Sequence, residues 1–84
     1  MNLTVRYFAS IREALGPGES LQVAAGATVG SVRDVLIARG AAHAVALARG
    51  RALRSALNQA LCDETAVVAE GSELAFFPPP VTGG

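Results

Sequence analysis

Few residues of this 84-residue chain have the chemistry to act on another molecule, and the side chains are the weaker candidates. His43 is the only histidine and Cys62 the only cysteine. A nucleophilic triad would need His43 beside serine and aspartate from elsewhere, and no G-x-S-x-G elbow is present. His43 therefore reads as a surface helix residue. Cys62 has no second cysteine or nearby histidine to activate it, and reads as a small strand or loop residue. No His/Cys set has metal-ligand spacing, so no metal is expected. Gly16-Pro17-Gly18 is too short to cradle a phosphate, and its proline removes an amide donor. Asp63-Glu64 reads as a solvated loop. The C-terminal end is different. Pro78-Pro79-Pro80 favours extended backbone, Val81 and Thr82 are β-branched, and the chain closes on Gly83-Gly84. From Pro80 to Gly84 an extended chain reaches ~16–18 Å. Glycine lacks a Cβ, so a narrow channel can admit Gly83 and Gly84 and a reagent can approach the terminal carboxyl carbon. The main-chain carboxylate of Gly84 can then be the reactive group once a partner activates it; the other reading is a frayed chain end.

Such a tail needs an anchored root. Asn2 to Phe8 alternates, with Leu3, Val5 and Tyr7 on one face, and predicts a strand on which Phe8 shares the parity of the polar side. Ser10 to Leu15 reads as a helical turn stopped by Gly16-Pro17-Gly18, and Glu19 to Ala24 as a second strand pairing with the first. Thr28 suits the N-cap of the clearest helix, Val29 to Arg39. On that helix Val29, Val32 and Leu36, with Val35 beside them, face a core. Gly40 stands where a left-handed C′ residue is expected. Ala41 to Arg51 reads as a short helix or turn. Leu53 to Leu57 is a third strand, Leu61 lies on a short fourth, and Glu73 to Phe77 is the last, running into the prolines. This order predicts an α+β fold, a mixed sheet wrapped around one main helix. Residues 1–77 form the domain and 78–84 the tail.

Composition narrows the function. Seven basic residues balance seven acidic ones, and all the basic residues are arginine. There is no basic run to meet a phosphate backbone, so no nucleic acid is expected. Without lysine, no ε-amine can form a Schiff base. One cysteine excludes an internal disulfide and suits a reducing compartment. No signal peptide is visible and no apolar run approaches the ~18 residues of a membrane span, so a cytoplasmic domain is expected.

The ending Glu73-Leu74-Ala75-Phe76-Phe77-Pro78-Pro79-Pro80-Val81-Thr82-Gly83-Gly84 resembles that of the small subunit of molybdopterin synthase. Tyr7-Phe8-Ala9 with Ile11-Arg12-Glu13, and Leu57-Asn58-Gln59 with Leu61, resemble the family's first strand and middle strand. The resemblance implies a ubiquitin-like β-grasp fold with a flexible Gly-Gly C-terminal tail, and a sulfur carrier in molybdenum cofactor biosynthesis. It implies that an ATP-dependent E1-like enzyme adenylates Gly84, that sulfur replaces AMP to give a thiocarboxylate, and that the large catalytic subunit takes up the tail. There the sulfur builds the dithiolene of molybdopterin from cyclic pyranopterin monophosphate. On this resemblance the chain itself is expected to bind no cofactor, ATP being used by the activating partner, and to be the small subunit of a sulfurtransferase, not catalytic alone. Ser72 stands where the family carries aspartate, and three prolines where two are usual.

The same resemblance places Phe8, Leu61 and Phe77 at the large-subunit contact, with Pro78, Pro79, Val81 and Thr82 entering the partner. Two other readings share the fold. One is a sulfur carrier for thiamine, cysteine or tRNA thiolation. The other is a non-covalent ubiquitin-like interaction module.

Overall fold

The computed structural model describes residues 1–80. The strand-forming alternation at the N-terminus gives β1 (Asn2–Tyr7), with Leu3, Val5 and Tyr7 all buried. Helix α1 (Ala9–Leu15) follows, then β2 (Gly18–Gln22), α2 (Val29–Ile37) and α3 (Ala41–Ala46). The chain finishes with β3 (Arg54–Leu57), β4 (Ala60–Cys62) and β5 (Glu73–Phe77). The five strands make one mixed sheet in the order β2-β1-β5-β3-β4. At its centre β1 and β5 run parallel, and every other pairing is antiparallel. The expected order of elements and the mixed sheet hold.

The expected pairing of the first two strands also holds. Leu3 stands opposite Leu21, and Val5 opposite Glu19. Gly18 sits where β2 passes against β1: a Cβ there would meet the Val5 carbonyl oxygen at 2.2 Å, a backbone contact that cannot swing aside. At the other hairpin, Asn58 and Gln59 both take positive φ, 50° and 70°. That handedness matches the twist of the flanking strands β3 and β4. Asn58 then ties the turn to β5, its N–H donating to the Glu73 carbonyl (2.8 Å) and its Oδ1 accepting from the Glu73 N–H (3.0 Å).

Helix α2 covers the inner face of the sheet. Thr28 caps it as expected, accepting from the Ser31 N–H (3.2 Å) while the Thr28 N–H donates to Ser31 Oγ (2.9 Å). Val29, Val32 and Leu36 are fully buried beneath it, among Val5, Tyr7, Ile11, Leu74 and Phe76. Three details differ from the sequence reading. Val35 is exposed, because the buried stripe widens on its other flank, through Gly30 and Arg33. Gly40 does not cap α2 in a left-handed conformation. The helix ends at Ile37 with Ala38 as cap, and Gly40 (φ 166°) is extended backbone that starts α3. Glu64 is not simply solvated.

Glu64 belongs to an ionic tie that fastens the irregular stretches to α2. Arg33, 4% exposed, donates Nε to the Leu47 carbonyl (2.8 Å) and Nη2 to the carbonyls of Ala48 and Arg51. Its Nη1 meets Glu64 Oε2 at 2.7 Å. Arg49 bridges Glu64 and Asp34 from outside and donates to the Gly30 carbonyl (2.7 Å). Burial alone would raise the Glu64 carboxyl, but hydrogen bonds and charge from Arg49 and Arg33 outweigh it and hold the pKa low. One guanidinium thus satisfies three carbonyls of a loop that forms no ladder of its own. Replacing Arg33 with leucine leaves those carbonyls without a donor and should cost about 3 kcal/mol of stability. Urea denaturation measures it, and an unchanged midpoint would show that the loop finds other donors.

Candidate functional site at the tail root

The site is built where β1 and β5 end side by side. Because these strands are parallel, with Tyr7 opposite Phe76, the next residue of each, Phe8 just past β1 and Phe77 as the last of β5, comes to the same end of the sheet. The Phe8 N–H donates to the Phe76 carbonyl (3.2 Å), extending the ladder one step past β1. Ala9, with φ 53°, then turns the chain away into α1, and the Phe8 carbonyl accepts from the Ile11 and Arg12 N–H groups. Alternation makes the outcome specific. Tyr7 and Phe76 point inward and are buried, so Phe8 and Phe77 point outward.

Phe8 is 38% exposed and Phe77 half-buried. They wall a groove of about 520 Å³ on the outer face of the sheet. Ala56 and Ala75, directly opposed across β3 and β5, line its apolar part; Arg6, Gln59 and Glu73 bring polar groups to it. The Arg6 guanidinium lies 5.9 Å from the centroid of the Phe8 ring and 4.0 Å from Glu73. Leu61, 68% exposed, stands opposite Ala56, so the outward row Arg6, Ala75, Ala56 and Leu61 crosses four strands. Leu61 does not line the groove itself. It borders a second hollow of about 570 Å³ with Leu53, Arg54, Ser55 and Cys62.

Of the residues singled out in the sequence, the structure therefore brings Phe8 and Phe77 together, with Leu61 one strand pair away on the same face. Pro78 and Pro79 continue from β5 without regular structure and are half-buried. Val81, Thr82, Gly83 and Gly84 lie outside the described residues. Arg6, Gln59 and the two alanines were not singled out. Arg6 has the same outward parity as Phe8 and was legible in principle; Gln59 reaches the groove only through the geometry of the hairpin turn. Ser72 keeps the turn before β5 intact. It is buried, its Oγ accepts from the Ala69 N–H (3.1 Å), and Gly71 beside it has φ 76°. Among the described residues no cluster of His, Cys, Asp or Glu could hold a metal, and no helix is long and apolar enough to cross a membrane.

The sequence model of the ThiS family matches residues 5–84, nearly the whole chain. The chain belongs to the ThiS family. Two relatives bear the name molybdopterin synthase sulfur carrier subunit. The one from Haemophilus influenzae is 42% identical over 83 residues, covering 98% of this chain and 99% of the relative. The one from Escherichia coli is 38% identical over 82 residues, with the same coverage. Among solved structures, SAMP1 from Haloferax volcanii superposes with a TM-score of 0.78 at 30% identity, each chain fully covered. A complex of subunits 1 and 2 of the molybdopterin-converting factor from Helicobacter pylori includes a chain with the same fold, at a TM-score of 0.68 and 24% identity, again fully covered. The β-grasp architecture and the family expected from the sequence both stand.

In this ThiS-family chain a polar cluster behind the site fixes the end of β1. Tyr7, next to Phe8, donates its hydroxyl to Glu19 Oε2 (2.7 Å). His43 Nε2 lies 2.8 Å from the same oxygen, and Arg39 pairs with Glu19 Oε1. His43 is thus a half-buried tie between α3 and β2, not the free surface residue expected. Burial pushes the Tyr7 phenol up, and the adjacent Glu19 reinforces the shift. For Glu19, burial raises the carboxyl, but the hydrogen bonds from Tyr7 and His43 and the charges of His43 and Arg39 prevail and depress it. A depressed carboxyl stabilises the fold above its unfolded pKa, and the contribution fades as pH falls through the folded value. Glu19→Gln should therefore be less stable than the parent at pH 7, with the gap closing below about pH 4. Urea denaturation across that range tests it; a gap independent of pH would show that charge is not what Glu19 contributes.

Proposed function

We propose that this chain is the sulfur carrier subunit of a molybdopterin synthase and that its working group is the Gly84 carboxylate. The observation that supports this most directly is the full-length similarity to two relatives bearing that name, reaching through the Phe77-Pro78-Pro79 root of the tail. The structure adds a reason for the design. Among the described residues no group of His, Cys, Asp and Glu could hold a metal, whereas β5 is held in the centre of the sheet and the sequence continues from it through the prolines to the two glycines.

A carboxylate is a poor electrophile because its charge is delocalised and its leaving group would be oxide. In the proposed route an E1-like partner lets a Gly84 carboxylate oxygen attack the α-phosphorus of ATP, forming the acyl-adenylate and releasing pyrophosphate. A sulfur nucleophile at the oxidation level of sulfide then attacks the carbonyl carbon, and AMP departs with the electron pair of the C–O bond, leaving the thiocarboxylate. The large catalytic subunit takes up the tail, Pro78, Pro79, Val81 and Thr82 included, and uses the sulfur to build the dithiolene. Phe8, Phe77 and Leu61 form the contact surface for that partner, the two phenylalanines through the groove beside the tail root. An apolar cluster of this kind is the usual energetic centre of an interface.

Two outcomes follow. After incubation with the activating enzyme, ATP and a sulfur donor, the intact mass should rise by the difference between sulfur and oxygen, and deletion of Gly83 and Gly84 should abolish the rise. An unchanged mass for the full chain leaves only a non-covalent interaction module. Phe77→Asp should weaken binding to the large subunit at least tenfold while the circular dichroism spectrum is retained. Equal affinity would remove the groove from the interface, and failure to bind a large subunit at all would favour thiamine, cysteine or tRNA thiolation.

A further inference from the structure

Activation turns the Gly84 carboxyl into an electrophile, and every other copy of the chain then becomes a source of nucleophiles. Amines and thiolates are the protein groups that attack such a carbonyl. The chain has no lysine: all seven basic side chains are arginine, whose guanidinium stays protonated and does not attack. The one primary amine is that of half-buried Met1. It donates to the Val23 carbonyl (2.8 Å), while the Met1 carbonyl accepts from the Val23 N–H (2.9 Å) and the side chain packs against the core. Met1 also sits at the end of the sheet opposite Phe8 and Phe77, about 23 Å of strand away. That is about the full reach of residues 78–84. Cys62, the only thiol, is half-buried, and burial with Asp63 alongside raises its pKa, so little of it is thiolate at neutral pH. The His43 ring is engaged through Nε2 by Glu19.

We infer that the activated chain is inert toward its own kind, so that its acyl group passes only to a nucleophile from outside, the sulfur donor or a foreign amine. This rests on the reading of Gly84 as the activated group. In the reaction avoided, an amine nitrogen attacks the Gly84 carbonyl carbon and the C–O bond to the phosphate breaks. AMP leaves with the electron pair, the nitrogen gives a proton to solvent, and the product is an amide. An amide end has no carboxylate left to activate, so each such event removes a carrier. A surface lysine would offer that acceptor at the concentration of the carrier itself. Arginine forms the ion pairs of Arg33, Arg39 and Arg49 with Glu64, Glu19 and Asp34 without offering it. A lysine on another protein would accept one copy and no more, because the attached chain brings no ε-amine for the next.

Intact-mass measurement of the full chain, incubated with its E1-like activating enzyme and ATP but no sulfur donor, tests this. Added hydroxylamine, a small amine, should convert Gly84 to the hydroxamate. If it does not, Gly84 is not activated, and the inference falls with the reading it rests on. Without hydroxylamine the parent should give no species at twice the chain mass less one water. Any such species, whether an amide or a thiol-sensitive Cys62 thioester, overturns the inference. Arg51→Lys puts one ε-amine on the exposed loop before β3, and should give the doubled species under the same conditions. If hydroxylamine reacts but Arg51→Lys stays single, the activating enzyme and not the absence of lysine protects the tail, and the inference is again wrong.

Discussion

The parallel pairing of β1 with β5 is the constraint on which the rest of this structure depends. Parallel strands cannot be joined by a tight turn, so everything between Tyr7 and Glu73 must form the connection that brings the chain back. That connection holds the remaining helices and strands, and it closes over the inner face of the sheet. Parallel direction also makes the two strands finish at one end. Had β5 run the other way, Phe77 and the tail would leave beside Asn2, far from Phe8. The juxtaposition of an apolar groove and a tail root is thus a property of strand direction before it is a property of any side chain.

Alternation then divides each strand between two tasks. Leu3, Val5 and Tyr7 on β1, with Leu74 and Phe76 on β5, are buried against α2. Arg6 and Phe8, with Ala75 and Phe77, take the opposite face. A slip of one residue in the β1–β5 register would exchange these sets and destroy core and groove together. Several devices oppose such a slip: the Gly18 contact that admits no Cβ, the Asn58 bonds to both backbone groups of Glu73, and the Tyr7–Glu19 bond. Polar ties matter here because the core is small. With 17 alanines among its residues, the chain buries few large side chains, and irregular stretches such as 47–51 are held by Arg33 instead of by apolar packing.

Features that depend on neighbours along the chain were readable from the sequence. The parity of β1 and the outward position of Phe8, the Thr28 cap, the two pairs of early and late strands and the abrupt end at Pro78 are all local, and all appear. Features set by contacts between distant residues were not. Gly40 follows a helix at a spacing that suits a left-handed cap, but α2 stops earlier and the glycine serves the start of α3. His43 and Glu64 looked solvated because their partners lie 24 and 31 residues away. Val35 looked buried because periodicity gives the width of a stripe and not the flank on which it widens. In each case the deciding energy is tertiary, and a one-dimensional pattern does not contain it.

The site follows the same division. Its apolar part, Phe8 and Phe77, could be read from strand parity, since a large aromatic residue with polar-side parity has no core to enter. Its polar rim could not be read, because Arg6 and Arg54 resemble any other arginines until the pairing of the rest is known. Seven arginines against seven acids suggests a molecule without electrostatic character. Three of those arginines are spent inside the helical side, where they hold loops and α3 in place, and they take most of the nearby carboxylates with them. What remains on the sheet face is Arg6 beside Glu73, and Arg54 in a hollow it shares with Asp63, around an apolar groove. The two faces therefore differ in which ion pairs are closed and which are left open to solvent, a difference that the fold itself creates.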